Sequence, residues 1–478
     1  MLKQLVKKLL NKKNFVIGDK DQTLTNEGTK KLIFTLACII SKPRYGNRVG
    51  IYLPRNYFYV ASILSTWLSN KCFIPLNQTW PKKYVLQILK DSEIKSVVTN
   101  KKFLFLKDFG LIILNKNILN KKKARKIYKS NNKFSYIIYT SGSTGKPKGV
   151  QISNSALENY IKWLNNNFKD EKSKDLSLLI TGEITFDIII ADLSFALSRK
   201  ASIFITPDNK NVLSAINFLN EKPINIIYTV PSFMEKLILA NAIFKNRFKN
   251  IKYVFCGGEV FKKKLFHQVK KIFQNSKIFN MYGPTECTMN CLSIELSKIK
   301  NINKFKILPT GKKYKHLNYK LLKNNKNNNY EGELHIGGNQ LMDGYLNHKD
   351  NIFKFINKKK FFPTGDYFKQ SNNILFFQGR INGIKKISGH RLNLGYIEEV
   401  IEKIDIINVC KIIIKNNNII CFVTSKLNIK KLKIRILSHC IKKLPNYMIP
   451  NKIIKVQKFD YNERGKLNLN ILSKSVKD

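Results

Sequence analysis

Nowhere in its 478 residues does the chain carry a Cys-x-x-Cys pair or a Cys/His cluster at zinc spacing. The eight cysteines (Cys38, Cys72, Cys256, Cys287, Cys291, Cys410, Cys421, Cys440) are scattered. That pattern excludes a zinc ribbon and a disulfide framework, and it predicts reduced thiols in a cytoplasmic protein. No apolar run reaches the roughly 18 to 20 residues of a membrane span; Ile33 to Ile40 is ended by Ser41-Lys42-Pro43-Arg44. The basic opening MLKQLVKKLLNKKN lacks both a continuous apolar stretch and a small-residue cleavage site. Its Leu2, Leu5, Val6 and Leu9 share one helical face, which predicts an ordinary N-terminal amphipathic helix.

Acidic residues are scarce: 31 Asp+Glu stand against 86 Lys+Arg, a net charge of +55. Such an excess can signal a nucleic-acid or anionic-membrane partner. Here the lysines form no stripe and no aromatic-basic RNA motif; they lie beside asparagine and isoleucine in runs such as KNNKNNN and KIIIKNNNII. Residues with A/T-rich codons in this mixture read as compositional drift rather than nucleic-acid binding. An acidic partner would still be attracted.

What is present is a 43% hydrophobic chain, long enough for a large core and more than one domain. Short apolar β-branched runs recur at Val49 to Leu53, Ser96 to Val98, Ser135 to Tyr139, Ser177 to Ile180, Ala201 to Ile205, Ile224 to Thr229 and Tyr253 to Cys256. They alternate with helical patterns such as Val60 to Leu68 and Phe233 to Ala242, which predicts α/β layers with largely parallel sheets. After about residue 305 the strands shorten and hairpin signals enter, as at Glu333 to Ile336 followed by Gly337-Gly338, suggesting a small β-barrel-like part. A break at Gly379 to Gly383 divides a large domain, 1–380, from a small α+β domain, 383–478. No internal repeat is visible.

The stretch Tyr139 to Val150, YTSGSTGKPKGV, packs glycines, hydroxyls and lysines directly behind an apolar run. Bare backbone, hydrogen-bond donors and positive charge suit a polyphosphate. The Walker spacing is not met, since Thr140 replaces its first glycine and Pro147 follows Lys146. Taken alone, the segment could equally be a turn-rich surface loop.

Downstream come FCGGEV (Phe255 to Val260), NMYGPTE (Asn280 to Glu286), GELHIGGNQLMDGYL (Gly332 to Leu346), PTGD (Pro363 to Asp366), GRINGIKKISGHRL (Gly379 to Leu392), LPNYMIP (Leu444 to Pro450) and NERGK (Asn462 to Lys466). In this order and spacing they resemble the adenylate-forming superfamily of amino-acid adenylation domains, acyl-CoA synthetases and luciferases, from about Leu24 to Asn468. KGVQIS, Trp163, Phe186-Asp187, TVPSF (Thr229 to Phe233), FCGGEV and LPNYMIP are most similar to stand-alone D-alanine:carrier-protein ligases and nonribosomal-peptide adenylation domains. An acyl-CoA synthetase or fatty acyl-AMP ligase is the main competitor. A weakly active descendant kept as a basic binding protein is a third reading.

The resemblance implies ATP and Mg²⁺ as cofactors and assigns roles by position. Thr140, Ser141, Gly142, Ser143, Thr144, Gly145 and Lys148 would close over the β- and γ-phosphates, with Thr140 also counted as catalytic. Glu286 would help hold Mg²⁺. Tyr282, within Asn280, Gly283 and Thr285, would stack on adenine, with the backbone of Gly257, Gly258 and Glu259 along the other face. Asp366 would bind the ribose hydroxyls beside Arg380, and Lys466 would bridge the substrate carboxylate and α-phosphate. The family's small domain rotates after adenylation on a hinge, here near 380–383, where Asn382 stands for the usual aspartate. Asn154, Pro363, Asn393 and Tyr396 also depart from the family pattern.

Asp187 matches the aspartate that meets the substrate's ammonium group, although an aspartate there could instead cap a helix. Ala191, Thr229, Val254, Cys256, Met281 and Met289 match the side-chain pocket, and Cys256 matches the cysteine of D-alanine ligases. A small amino acid is implied, D-alanine first, with glycine and L-alanine open. No phosphopantetheine site follows Lys466, so the expected acceptor is a separate carrier protein.

Overall fold

The structure is a computed structural model that describes all residues except 1, 116–117, 119–125, 142–146, 169–174, 209–210, 324–325, 329, 349–351, 382–385, 388–389, 393, 458 and 460–478. Two compact units emerge: Met1–Gln78, Asp91–Ile138 and Gly149–Asn382 form one; Thr79–Lys90, Tyr139–Lys148 and Gly383–Asp478 form the other. Among the described residues no helix is long and apolar enough to cross a membrane.

The first unit is layered α/β, as the alternating runs predict. One sheet has eight strands in the order Ile17–Gly18, Ser202–Ile205, Ser177–Ile180, Ile226–Thr229, Tyr253–Gly257, Lys277–Tyr282, Leu292–Glu295, Lys312–Lys313. The first six are parallel and the last two antiparallel. Both faces are covered, and the strands alternate strictly between them. Leu178, Ile180, Ile203, Ile226, Tyr228, Tyr253, Phe255 and Met281 join a cluster with the helices Asn154–Asn167 and Ile188–Arg199. Leu179, Phe204, Ile227, Val254, Cys256 and Ile278 join another with the helices Val212–Glu221, Pro231–Phe244 and Lys263–Ile272.

A second sheet of seven strands is parallel through Phe134–Ser141, Cys72–Leu76, Arg48–Tyr52, Ser96–Thr99 and Gly110–Ile113. The helix Tyr57–Leu68 is buried at every position but Phe58, the mark of a core helix. Asn56 caps it, its Oδ1 accepting from the amides of Phe58 and Tyr59 at 3.1 and 3.3 Å. The N-terminal helix Leu2–Leu10 packs on it and on Ile188–Arg199, burying Leu2, Val6, Leu9 and Leu10.

The expected barrel-like part is a six-stranded antiparallel sheet built around Glu331–Gly338 and Lys359–Ser371. Its tight hairpins use asparagine. Asn372-Asn373 joins Ser371 to its partner Ile374, and Asn357-Lys358 joins Ile356 to Lys359. In both, two consecutive residues take positive φ, as a two-residue type I′ hairpin requires.

The second unit carries a three-stranded sheet, Val409–Lys415, Asn418–Thr424 and Lys452–Lys455, with the helices Leu394–Glu402 and Ile429–Lys443. Its core gathers Leu392, Ile397, Ile401, Ile412, Val423, Leu432, Ile436 and Met448. Asn416-Asn417, again at positive φ, turns its hairpin. All eight cysteines of the chain are buried and free.

Candidate active site

In an open parallel sheet, ligands bind beyond the carboxyl ends of the strands. Register brings three such ends together: Thr229 lies beside Cys256, Cys256 beside Asn280, and Gly257 beside Met281. A Cβ at Gly257 would come within 2.9 Å of both the Met281 carbonyl oxygen and the Tyr228 hydroxyl. Gly258 follows at φ +84°, a conformation that favours glycine. Glu259 receives Ser232 through its backbone amide at 2.9 Å and its hydroxyl at 3.1 Å, so its carboxylate anchors the start of the helix Pro231–Phe244. Asn280 donates to the Pro309 carbonyl at 2.8 Å.

Tyr282, at the end of its strand, donates its hydroxyl to Asp366 Oδ2 at 2.6 Å. Arg380, the register partner of Asp366 on the neighbouring strand, places Nε 2.6 Å from Oδ1. Gly365, at φ +71°, turns the chain so that Asp366 faces inward. Phe368 meets the Tyr282 ring edge-on at 4.9 Å. Burial first, and Asp366 second, hold the Tyr282 hydroxyl well above the usual phenol range, so it is a firm hydrogen-bond donor.

Beyond Tyr282 the chain turns at Gly283, where a Cβ would sit 2.2 Å from the Met289 carbonyl. Thr285–Cys287 is a short 3₁₀ turn, and Thr288 and Met289 follow at φ +55° and +72°. Glu286 is only 2% exposed, and its Oε1 accepts from the Tyr345 hydroxyl at 2.7 Å. The loop is gripped by Gln340, whose Nε2 donates to the carbonyls of Cys287, Thr288 and Asn290 at 2.9, 3.2 and 2.5 Å. Its backbone carbonyl accepts from the Thr288 hydroxyl at 2.6 Å, and its Oε1 is bonded to His316.

Asp187 stands at the first boundary of the helix Ile188–Arg199, 8% exposed, yet its side chain makes no capping hydrogen bond. Its field raises the hydroxyl pKa of Tyr136, Tyr160 and Tyr228, each of which is first raised by burial. Ala191, Met281 and Met289 lie in the same cluster as these tyrosines. Val254 and Cys256 do not; they point to the opposite face, against Phe233, Met234 and Leu237 of the helix Pro231–Phe244. The pocket expectation is corrected here. Side chains along a strand alternate, so the residues on the Asp187 side are Tyr253, Phe255 and Gly257, one position away.

Of the expected phosphate-loop residues, Thr140 is half-buried near the end of Phe134–Ser141, and Lys148 is buried in Pro147–Ser153. Gly142, Ser143, Thr144, Gly145 and Lys466, like Asn382 and Asn393, lie outside the described residues, as does the Ser141 side chain. Asn154 has a structural use, donating to the Asn132 carbonyl at 2.9 Å. Pro363 pairs in register with His335, and Tyr396 is half-buried in Leu394–Glu402.

Several residues escape the sequence reading. Gln340 and Tyr345 sit inside the quoted GGNQLMDGYL segment without an assigned role. Arg55, in LPRN after a strand, donates Nε to the Thr206 carbonyl at 2.6 Å and Nη2 to the Ile180 carbonyl at 2.8 Å and the Thr206 hydroxyl at 3.2 Å. Nη1 donates to the Gly182 carbonyl. Burial lowers its pKa to about 10, with Glu183 and then Asp192 pushing back. Asp192, 1% exposed on the helix Ile188–Arg199, has no hydrogen-bond partner on either oxygen among the described residues. Its carboxyl is held well above the usual range by burial.

A parallel sheet whose strand ends carry a glycine pair and a tyrosine that meets an Asp–Arg pair from the antiparallel sheet, followed by a clasped loop bearing a buried glutamate, is the framework of an adenylate-forming enzyme. The profile of the AMP-binding enzyme family matches residues 7–346, and the chain belongs to that family of ATP-dependent ligases. It is similar to zwittermicin A synthase ZmaJ of Bacillus cereus, 27% identical over 491 residues that cover 95% of this chain and 90% of that protein. It is also similar to the D-alanine--D-alanyl carrier protein ligase of Staphylococcus haemolyticus, 28% identical over 348 residues, 70% of this chain and 69% of that protein. The fold matches that of the Vibrio cholerae adenylation domain AlmE, solved with glycyl-adenosine-5'-phosphate: TM-score 0.84, 19% identity, 99% of this chain and 97% of that one.

Proposed function

We propose that the chain activates a small amino acid as its aminoacyl adenylate and transfers it to the phosphopantetheine thiol of a separate carrier protein. Asp187 carries this reading. It matches the aspartate that meets the substrate's ammonium group in amino-acid-activating members, and it lies 8% exposed at the start of the helix Ile188–Arg199, where its charge reaches Tyr136, Tyr160 and Tyr228. A buried carboxylate suits a cationic substrate better than a fatty acid. D-Alanine leads through the likeness to D-alanine ligases, followed by glycine and L-alanine.

In the first step a substrate carboxylate oxygen bonds to the α-phosphorus of ATP while the bond to the β-phosphate oxygen breaks, releasing pyrophosphate. No nucleophilic side chain is needed, so the enzyme's task is alignment and charge compensation. Asp366, oriented by Tyr282 and Arg380, would accept hydrogen bonds from the ribose hydroxyls. The backbone at Gly258, where an added Cβ would have no atom nearer than 3.5 Å, would admit the adenine closely. Glu286 would supply a carboxylate to Mg²⁺, which typically binds one or two carboxylates plus substrate phosphates and would neutralise charge on the departing pyrophosphate. Lys466 would bridge the two reacting anions, and a hinge near 380–383 would then remove it. In the second step the thiol sulfur bonds to the acyl carbon, AMP leaves, and the thiol proton passes to solvent.

The test is ATP–pyrophosphate exchange across D- and L-amino acids and short fatty acids, with Lys466→Ala and Asp187→Ala as controls. Exchange confined to small amino acids and lost in both variants is expected. Exchange with fatty acids that survives Asp187→Ala would overturn the reading.

A further inference from the structure

We infer that Glu333 is a positioning residue for the nucleotide: by accepting the Gly365 amide it holds the backbone bulge that aims Asp366 at the ribose. The inference rests on the reading of Asp366 as the acceptor of the ribose hydroxyls. Glu333 belongs to the GELHIGG stretch, on the strand Glu331–Gly338.

The register between Glu331–Gly338 and Lys359–Ser371 breaks at this point. Glu333 pairs with Tyr367 and His335 with Pro363, so the single residue Leu334 faces three, Thr364, Gly365 and Asp366. A bulge of this kind re-aims a side chain and disrupts the ladder of hydrogen bonds beside it. Side chains replace the lost bonds here. The Thr364 hydroxyl donates to the Leu334 carbonyl at 2.7 Å and accepts from the Asp366 amide at 3.1 Å, and Glu333 Oε1 accepts from the Gly365 amide at 3.0 Å. The Gly365 carbonyl accepts from the Ile381 amide at 3.0 Å.

Packing does not hold the turn. A Cβ added at Gly365 would meet no atom within 4 Å, and a glycine at φ +71° can take other conformations, so hydrogen bonds fix the peptide directly before Asp366. Tyr282 and Arg380 orient the carboxylate, whereas Glu333 orients the backbone that carries it. Glu333 is held from its other side as well. Its Oε2 lies 3.1 Å from Nε2 of His335, which is fully buried and stands two residues along on the same face of the strand. Burial pushes the Glu333 carboxyl up, but His335, the Gly365 amide and Lys354 together bring it below the usual carboxylate range, which keeps it an acceptor.

The experiment measures binding of ATP and of 2′,3′-dideoxy-ATP, each with Mg²⁺, to the full chain by calorimetry; the ratio of the two affinities reports the ribose contact. Wild type should prefer ATP by at least about 10-fold, as expected for a hydrogen bond to a charged group. Glu333→Ala should cut that preference to about 2-fold or less while dideoxy-ATP binds within about 2-fold of wild type, a split that a general loss of structure would not give. Glu333→Gln, which keeps an oxygen for the amide, should retain most of the preference. Glu333→Asp, which keeps the charge but is one methylene short of the amide, should lose it, and serves if the alanine variant does not fold. An unchanged ratio in folded Glu333→Ala or Glu333→Asp, or equal losses for the two nucleotides, would overturn the positioning role alone. Equal wild-type binding of ATP and dideoxy-ATP would overturn the ribose reading of Asp366, and the inference with it.

Discussion

Replacing Arg55 by methionine probes the joint that holds the segment leading to Asp187. Arg55 leaves the seven-stranded sheet just after Arg48–Tyr52 and reaches the carboxyl ends of two strands of the eight-stranded sheet, Ser177–Ile180 and Ser202–Ile205. Methionine retains the volume of the stem and removes four donated bonds, leaving the carbonyls of Gly182 and Thr206 without this donor, while that of Ile180 still accepts from the Thr206 amide at 3.2 Å. Each orphaned buried acceptor costs about 1 to 3 kcal/mol, so two give at most about 6 kcal/mol. Relief from burying a cation offsets part of this, and a net loss of about 2 to 4 kcal/mol is expected. Arg55→Lys should fall between, because one ammonium cannot reproduce the fork geometry. Urea unfolding measures the loss, and substrate binding should weaken alongside, since Gly182 lies five residues before Asp187. A methionine variant within about 1 kcal/mol of wild type would refute the reasoning.

Asp366→Asn keeps shape but removes the charge that meets Arg380; ATP affinity should fall about 10- to 100-fold in a nucleotide titration, and stability should drop by about 3 kcal/mol because the buried guanidinium loses its counter-charge. Asp192→Asn should alter the pH dependence of stability. The folded-state pKa of Asp192 is raised, so its contribution is complete below the unfolded value near 3.8 and is lost as pH rises toward the folded value. The asparagine variant should gain on wild type by about 1.4 kcal/mol per pH unit across that window, and parallel stability curves would contradict this. Gly283→Ala forces a Cβ to 2.2 Å from the Met289 carbonyl; exchange activity should drop by about 100-fold or more as the Glu286 loop shifts. Tyr136→Phe removes a buried hydroxyl with no hydrogen-bond partner among the described residues, so melting should stay level or rise; a higher KM for the amino acid would place that hydroxyl at the substrate.

The layered fold was legible because its strands are short β-branched runs, from Val49 to Cys256, set between helical patterns. Their facing was not. A strand buried on both sides, such as Tyr253-Val254-Phe255-Cys256, is apolar at every position and gives no polar alternation to tell one face from the other. The FCGGEV match could therefore slip by one residue and assign Val254 and Cys256 in place of Phe255 and Gly257. The hairpins were hidden for another reason. Asn372-Asn373 and Asn416-Asn417 looked like the same drift that enriches the whole chain, yet asparagine tolerates positive φ and these pairs do the turning. The Tyr345 bond to Glu286, the Gln340 clasp on the loop after it and the Arg55 bonds to Ile180, Gly182 and Thr206 were beyond reach, because they form only through long-range packing.

The Gln340 clasp has a consequence for how this enzyme could be retuned. It holds the loop by three backbone carbonyls and touches none of the side chains at Cys287, Met289 or Asn290 through those bonds. The path of the chain is thereby separated from the identity of its residues. Glu286 precedes the gripped segment, while Met289 and Asn290 lie within it, packed in the core beside Tyr228 and Tyr160. Side chains at those two positions can therefore change while the carboxylate beside Tyr345 keeps its place, so the loop's course and its lining are set by different bonds.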